Sequence, residues 1–287
     1  MWIVFGLVSA ISDAAKNIFA KKSSQHFDPL VITWAWVFYS MFVFLPLMVT
    51  KIPARLDVIF WQSFILRILL DSFAFILFSK AIQKSDLSMS LPMLTFTPVF
   101  TLFTGMLINR EFPNTLESVG MIMIVFGAYI LNLKNTRKNI WQPILSIYED
   151  KGTLIMFIVA CIWGITTSLH KLAILHSNPY FYAGLSSLAL TTVFTPLAII
   201  KNKKDFQRAI SLKNLPSLLP IGLLDGVTTL TLFLSQNLAF SVLAISLKRT
   251  SIFFSAIFGW LFFKEKIKNR LIPIIVMIGG VILITLP

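Results

Sequence analysis

Apolar residues in this chain come in runs of about 18 to 24, separated by short stretches that hold most of the charge; about 20 helical residues cross the hydrocarbon of a bilayer. Alternation of period two is weak, and a backbone in lipid must be hydrogen-bonded within itself, so the pattern predicts helices rather than a barrel. It predicts ten, over 2–20, 29–50, 58–81, 87–109, 115–133, 152–175, 180–200, 214–237, 242–263 and 269–286. Arg67, Asp71 and Lys80 interrupt the third more than any other. The longest polar stretch falls near the middle. The chain therefore divides into a first five-helix unit (1–135), a polar linker (136–151) and a second five-helix unit (152–287).

The two units share a plan. Leu69–Leu70–Asp71 recurs as Leu223–Leu224–Asp225, and Gly105, six residues before Glu111, recurs as Gly259, six residues before Glu265. Every match carries the offset of 154 residues. An odd number of spans per repeat turns the second unit over relative to the first. The expected fold is an all-α integral membrane protein of ten transmembrane helices arranged as two inverted five-helix repeats, a plan suited to alternating access around a midplane site.

Loops after the odd helices hold Lys21, Lys22, Lys84, Lys134, Arg137, Lys138, Lys151, Lys201, Lys203, Lys204, Arg208, Lys213, Lys264, Lys266, Lys268 and Arg270. Loops after the even helices hold little beyond Lys51, Arg55 and Arg110. This bias puts the odd loops in the cytoplasm and both termini outside. The first segment has no basic leader region and runs into polar residues rather than a cleavage site, so no cleaved signal peptide is expected.

Composition agrees with the pattern: 56% hydrophobic residues against 13% charged, where soluble domains carry about twice that charged fraction. The 27 Phe and 7 Trp suit lipid-facing surfaces and interfacial belts. A net charge of +13 does not indicate nucleic acid as a partner, because the basic residues sit between apolar runs, where they meet anionic headgroups. The single cysteine, Cys161, excludes an intrachain disulfide.

Ionisable residues inside a span usually face the bundle interior or a water-filled cavity. Asp13 and Lys16 share a face of the first helix and can neutralise each other. Asp71 and Asp225 occupy equivalent positions, so an inverted repeat would set them on opposite walls of one cavity; the alternative is a structural carboxylate bonded to Ser or Thr, or to Lys80 or Arg249. Lys248 and Arg249 have no acidic neighbour in sequence and must find a partner on another helix or on an anionic substrate. Adjacent helical residues point about 100° apart, so only one of the two is expected to face a cavity. These six residues are the first candidates for substrate binding.

Trp34 and Tyr39, with Trp36 beside them, and Trp163 could stack on an amine or aromatic cargo; Trp34 and Trp36 read equally as an interfacial belt. Pro92 and Pro98 fall inside the fourth helix, where each removes a donor and makes either a hinge or a static kink. Glu111 and Glu265 close their helices beside Arg110 and Lys264, as structural helix-end charges or as gates. His170 and Lys171, late in the sixth helix, are expected to be solvent-exposed. Gly105 and Gly259 suit close helix contact.

No Gly-Lys-Ser/Thr phosphate loop is present. The three histidines, His26, His170 and His176, form no ligand cluster in sequence, and no serine-nucleophile elbow occurs. Neither an enzyme nor a resident cofactor or metal is expected.

The run Pro98–Val99–Phe100, Gly105, Glu111, Gly120 and Gly127, with its partner Ile252–Phe253–Phe254, Gly259–Trp260, Glu265, Gly279 and Gly280, resembles the EamA-type members of the drug/metabolite transporter superfamily. The resemblance spans essentially the whole chain as two EamA-like units. Ile252 stands where that family often has proline. The resemblance implies a multi-pass carrier in the plasma or inner membrane of a bacterium or archaeon, secondary active and with exporters of amino acids and other small polar metabolites well represented; proton coupling fits such a carrier. Some relatives act on lipid-linked sugars, so a sugar or headgroup flippase is the alternative. The partners implied are a small-molecule substrate and the lipid bilayer. One chain holds both halves of a pathway, so a monomer suffices, and a homodimer is compatible with it.

Overall fold

The computed structural model of the chain describes residues 1–85, 90–132, 141–263 and 271–286. Every regular element among them is helical: α1 (Trp2–Ser23), α2 (Pro29–Thr50), α3 (Val58–Lys84), α4 (Thr97–Thr104), α5 (Thr115–Asn132), α6 (Gln142–Glu149), α7 (Lys151–Leu175), α8 (Pro179–Lys201), α9 (Lys203–Ala209), α10 (Leu215–Leu238), α11 (Ser241–Arg249), α12 (Ser251–Phe263) and α13 (Leu271–Thr285). Seven stretches are long and apolar enough to cross a membrane: Trp2–Ser23, Pro29–Thr50, Leu91–Asn109, Lys151–Leu175, Pro179–Lys201, Leu212–Leu238 and Ser241–Phe258. Thr115–Leu131 and Ile272–Thr285 are apolar but shorter. This is an all-α, multi-pass membrane protein.

Side chains outside the helices start them. Asp57 accepts from Phe60 N (2.8 Å), Asp150 from Thr153 N (2.7 Å) and Asn178 from Phe181 N (2.9 Å), each filling an orphan donor at a helix start. At α5, Asn114 and Glu117 exchange backbone-to-side-chain bonds of 2.7 and 2.8 Å in a capping box.

α3 shows how the charge is hidden. Ile65, Leu69 and Phe73, four apart on one face, are 54%, 64% and 54% exposed, whereas Arg67 and Asp71 are 5% and 3% exposed. In a bilayer the apolar face meets lipid at no cost and the polar face must find partners inside. The sequence alternation of charge and leucine is the two faces of one helix.

The long helices pair across the middle of the chain: α1 packs on α10, α3 on α7, α2 on α8 and α5 on α13. The last contact needs glycine. A Cβ on Gly120 would meet the Gly280 carbonyl at 2.7 Å, and one on Gly280 would meet the Gly120 carbonyl at 2.5 Å, so the two backbones cross with no room for a side chain.

Three expectations change. The polar linker over 136–151 contains α6, whose Ile144 and Ile147 pack into an apolar cluster with Met156 and Tyr129; their spacing of three makes an apolar face that average polarity conceals. Pro92 and Pro98 fall where the fourth span changes helix type: Pro92 is in the first turn of a 3-10 segment (Leu91–Phe96) and Pro98 in the first turn of α4, which follows it directly. Likewise the span predicted over 242–263 is two helices, α11 and α12, meeting at Thr250. α4 begins at Thr97 and α12 at Ser251, again 154 residues apart, so the break itself is duplicated.

Candidate functional site

Two buried ion clusters lie where the halves meet. On α1, Lys16 Nζ is 2.7 Å from Asp13 Oδ1, and it reaches Asp225 Oδ1 on α10 at 3.3 Å. The ammonium also sits 3.8 Å above the Trp36 ring, a favourable cation–π position. Asp225 is further held by Thr229 Oγ1 at 3.5 Å. Two carboxylates and an aromatic face thus surround one ammonium.

The second cluster joins α3, α7 and α8. Arg67 Nε lies 2.7 Å from Asp71 Oδ2, but its N–H is not aimed at that oxygen, so the contact is an ion pair without a hydrogen bond. His170 Nε2 is 3.6 Å from the same oxygen, and His170 Nδ1 is 2.8 Å from the Tyr182 hydroxyl. Arg67 also stands over the Tyr182 ring at 5.9 Å.

Between the clusters, at the end of α11, are Lys248 and Arg249. Arg249 Nη2 donates to Thr97 Oγ1 at 2.7 Å, and that hydroxyl donates in turn to Leu94 O at 2.7 Å. Arg249 therefore ties the break between α11 and α12 to the equivalent break ahead of α4. Arg249 Nε is buried without a partner. Lys248 is within Coulombic reach of Asp13, Lys16, Asp225 and Arg249 on one side and of His170 on the other. Among the described residues no carboxylate stands within 4.0 Å of either cation. Both are half-buried and fall in the last turn of α11, which stops at Arg249.

Sequence comparison decides the class of molecule. A profile for the EamA-like transporter family matches the chain twice, over residues 1–133 and 150–286. The chain belongs to the EamA-like transporter family. It is a membrane transporter, not an enzyme, and a multi-pass protein of the cell membrane. A solved structure described only as "Crystal structure of protein" has the same fold, with a TM-score of 0.78 at 12% identity over 99% of this chain and 96% of that one. No curated protein gave a significant match.

In this EamA-like transporter the helix-end glutamate seen in the sequence has a defined place. Gly105 starts a π-helical turn (Gly105–Asn109) that ends in a left-handed Arg110, φ 55°. The chain doubles back, Glu111 N donates to Gly105 O at 3.1 Å, and a Cβ on Gly105 would stand 3.0 Å from Glu111 Oε2. The spacing of six in the motif is the length of this turn. Glu111 pairs with Lys171 at 2.7 Å rather than with Arg110, and accepts from Ser241 N at 2.8 Å and Ser241 Oγ at 3.3 Å, capping α11. Lys171 also donates to Ala239 O at 2.6 Å. Both line an open cleft of about 580 Å³ together with Trp2, Asn237 and Leu286, at the end of the bundle that carries the termini. Neither Lys248 nor Arg249 lines it.

Other expectations are corrected here. Lys171 is buried and His170 half-buried, since α7 runs to Leu175 and closes with them inside the bundle. Asp71 and Asp225 do not stand bare on opposite walls, for Asp71 is met by Arg67 and His170, and Asp225 by the Lys16 that it shares with Asp13. Trp34 is 2% exposed, donates to Thr195 Oγ1 at 3.0 Å and stacks on Phe38, so it is core and not an interfacial belt. Tyr39, 4% exposed, donates to Ala209 O at 3.3 Å in the same cluster. Trp34 faces away from the ions because two residues along a helix is more than half a turn; Trp36 takes the ion-facing side. Trp163 is occupied by Phe75 and Phe78. Glu265 lies outside the described residues. Arg67, His170, Lys171 and Tyr182 were not picked out for binding; of these Arg67 carried a usable signal, a charge four residues before Asp71 on the same face.

Proposed function

We propose that this chain is a secondary active transporter that exports a small polar metabolite by alternating access. Its ten spans form two inverted five-helix repeats, 1–135 and 152–287. The seven long apolar helices, the charged α3 and the shorter α5 and α13 supply the ten, and the packing supports the symmetry: an exchange of halves turns the α1–α10 contact into the α7–α3 contact and returns α2–α8 and α5–α13 to themselves.

The observation that carries the reading is the duplicated acid–base contact at membrane depth, Lys16 with Asp225 and His170 with Asp71, on those exchanged helix pairs. Charges this deep serve a pathway far more often than they stabilise a fold. Around them the broken spans at Phe96–Thr97 and Thr250–Ser251 form a midplane site, with Arg249 holding the substrate. Glu111 and Lys171 close the cleft end as a gate. His170, with Asp71, Arg67, Tyr182, Phe233 and Lys248 around it, binds the coupling proton.

Reconstitution of the whole chain in vesicles tests this. Under an imposed proton gradient, flux of some members of a panel of amino acids, amines, organic acids, polyols and nucleotide sugars is expected, and Arg249→Ala abolishes it while leaving the protein in the membrane. Binding confined to lipid-linked sugars would replace the carrier with a flippase.

A further inference from the structure

The carboxylates first read as receptors for a substrate amine are already engaged. Asp13 and Asp225 share Lys16, and Asp71 is occupied by Arg67 and His170. The two cations between the clusters are engaged by far less: Arg249 by one neutral hydroxyl, Lys248 by no hydrogen bond or ion pair among the described residues. In the cluster around Lys16, three cations (Lys16, Lys248 and Arg249) face two carboxylates (Asp13 and Asp225), which leaves one positive charge unbalanced. Both cations are half-buried, and the charges that act on Lys248 lie on α1, α7, α10 and α11. An unbalanced charge at membrane depth is costly until a counter-charge meets it.

We infer that the substrate of this transporter is a small organic anion, held through its carboxylate or phosphate by Lys248 and Arg249, and that recognition involves no substrate ammonium. This rests on the transporter reading above and narrows it. Arg249 meets Thr97 at the start of α4, and α12 begins two residues after Arg249, so both helix breaks stand beside the cations. Arg249 offers a planar fork for a carboxylate or phosphate and Lys248 a point charge. Among the described residues nothing equivalent is left for a cation, because Asp13, Asp71, Glu111 and Asp225 each have a basic partner within 3.6 Å.

The test uses the full chain in vesicles of neutral lipid and in detergent. Matched sets of metabolites of one carbon skeleton are compared, each as hydroxy acid, amino acid, neutral amide and amine, with phosphate monoesters as a second anion and a short-chain anionic phospholipid as the lipid-borne phosphate. Flux and thermal stabilisation are both measured. Anionic members are expected to be favoured over their zwitterionic and neutral partners by at least about tenfold. Lys248→Gln and Arg249→Gln should remove the preference, while Arg249→Lys keeps part of it. The unmutated series is decisive alone if a variant fails to fold. Preference for the amino acid, the amide or the amine overturns the inference and leaves the transporter reading standing. Response to the lipid-borne phosphate alone overturns it in favour of a headgroup site. No flux and no stabilisation by any member overturns the transporter reading and the inference together.

Discussion

His170 Nε2 lies 3.6 Å from Asp71 Oδ2, across α7 and α3. In the other half of the molecule Lys16 lies 3.3 Å from Asp225, across α1 and α10. The acids are 154 residues apart, and so are the bases. One repeat thus holds its carboxylate with a lysine and the other with a histidine, whose ordinary titration range includes physiological pH. The proton site proposed above is accordingly the His170 side, where Arg67 also holds Asp71 at 2.7 Å. Replacing His170 by Phe, or Asp71 by Asn, should abolish the acceleration of flux by an imposed pH gradient while exchange at equal pH persists. A gradient response that survives both replacements would remove this pair from coupling.

The gate pair is a stability prediction as well. Breaking a buried ion pair from one side leaves an uncompensated charge and costs about 3–5 kcal/mol. Glu111→Gln should therefore destabilise the detergent-solubilised protein strongly, since Lys171 loses its carboxylate and a single acceptor oxygen is left for Lys171 and Ser241. Glu111→Gln combined with Lys171→Met should recover much of the loss. Equal melting temperatures for the single and double variants would show that the cap, not the charge, dominates.

Close crossing of α5 and α13 predicts a difference between neighbouring glycines. Gly280→Ala forces a methyl into the Gly120 carbonyl, whereas a methyl at Gly279 meets only the flexible end of Met123 at 3.0 Å. Overpacking of this kind costs about 1–3 kcal/mol. Thermal unfolding should show Gly280→Ala and Gly120→Ala well below the parent and Gly279→Ala close to it.

Outside the membrane, two helix-capping carboxylates give a pH dependence. The backbone N–H of Phe60, with His176 beside it, holds the Asp57 carboxyl below its ordinary 3.8, and bonds from Ser85 and Thr153 hold Asp150 below 3.8 despite its partial burial. A carboxyl lowered by folding contributes stability that is complete above its unfolded value and is lost as the pH falls through the folded one. Melting temperature should therefore hold through mild acid and drop below about pH 4. Asp150→Asn should start lower at neutral pH and lose less on acidification; a parallel acid loss in that variant would show that other groups set it.

What the sequence by itself determined was the membrane class, the duplication and most of the spans, because burial in lipid imposes a length and a polarity on each helix that no partner is needed to enforce. The equivalence of Asp71 and Asp225 was legible for the same reason: a repeat carries its spacing in the chain. Where these residues went was decided only by tertiary structure. Lys16 reaches Asp225 across 209 residues and Lys171 reaches Glu111 across 60, and nothing local distinguishes those partners from Asp13 alone or from Arg110. Trp34 and Trp36 look alike in sequence, yet two residues of helical rotation send one into the core and the other over an ammonium. The breaks at Thr97 and Ser251 were half visible, as prolines in one repeat and as no proline in the other. Their meeting through Arg249 depends on how the two halves pack, and it is that packing which leaves Lys248 and Arg249 with no carboxylate within 4.0 Å among the described residues.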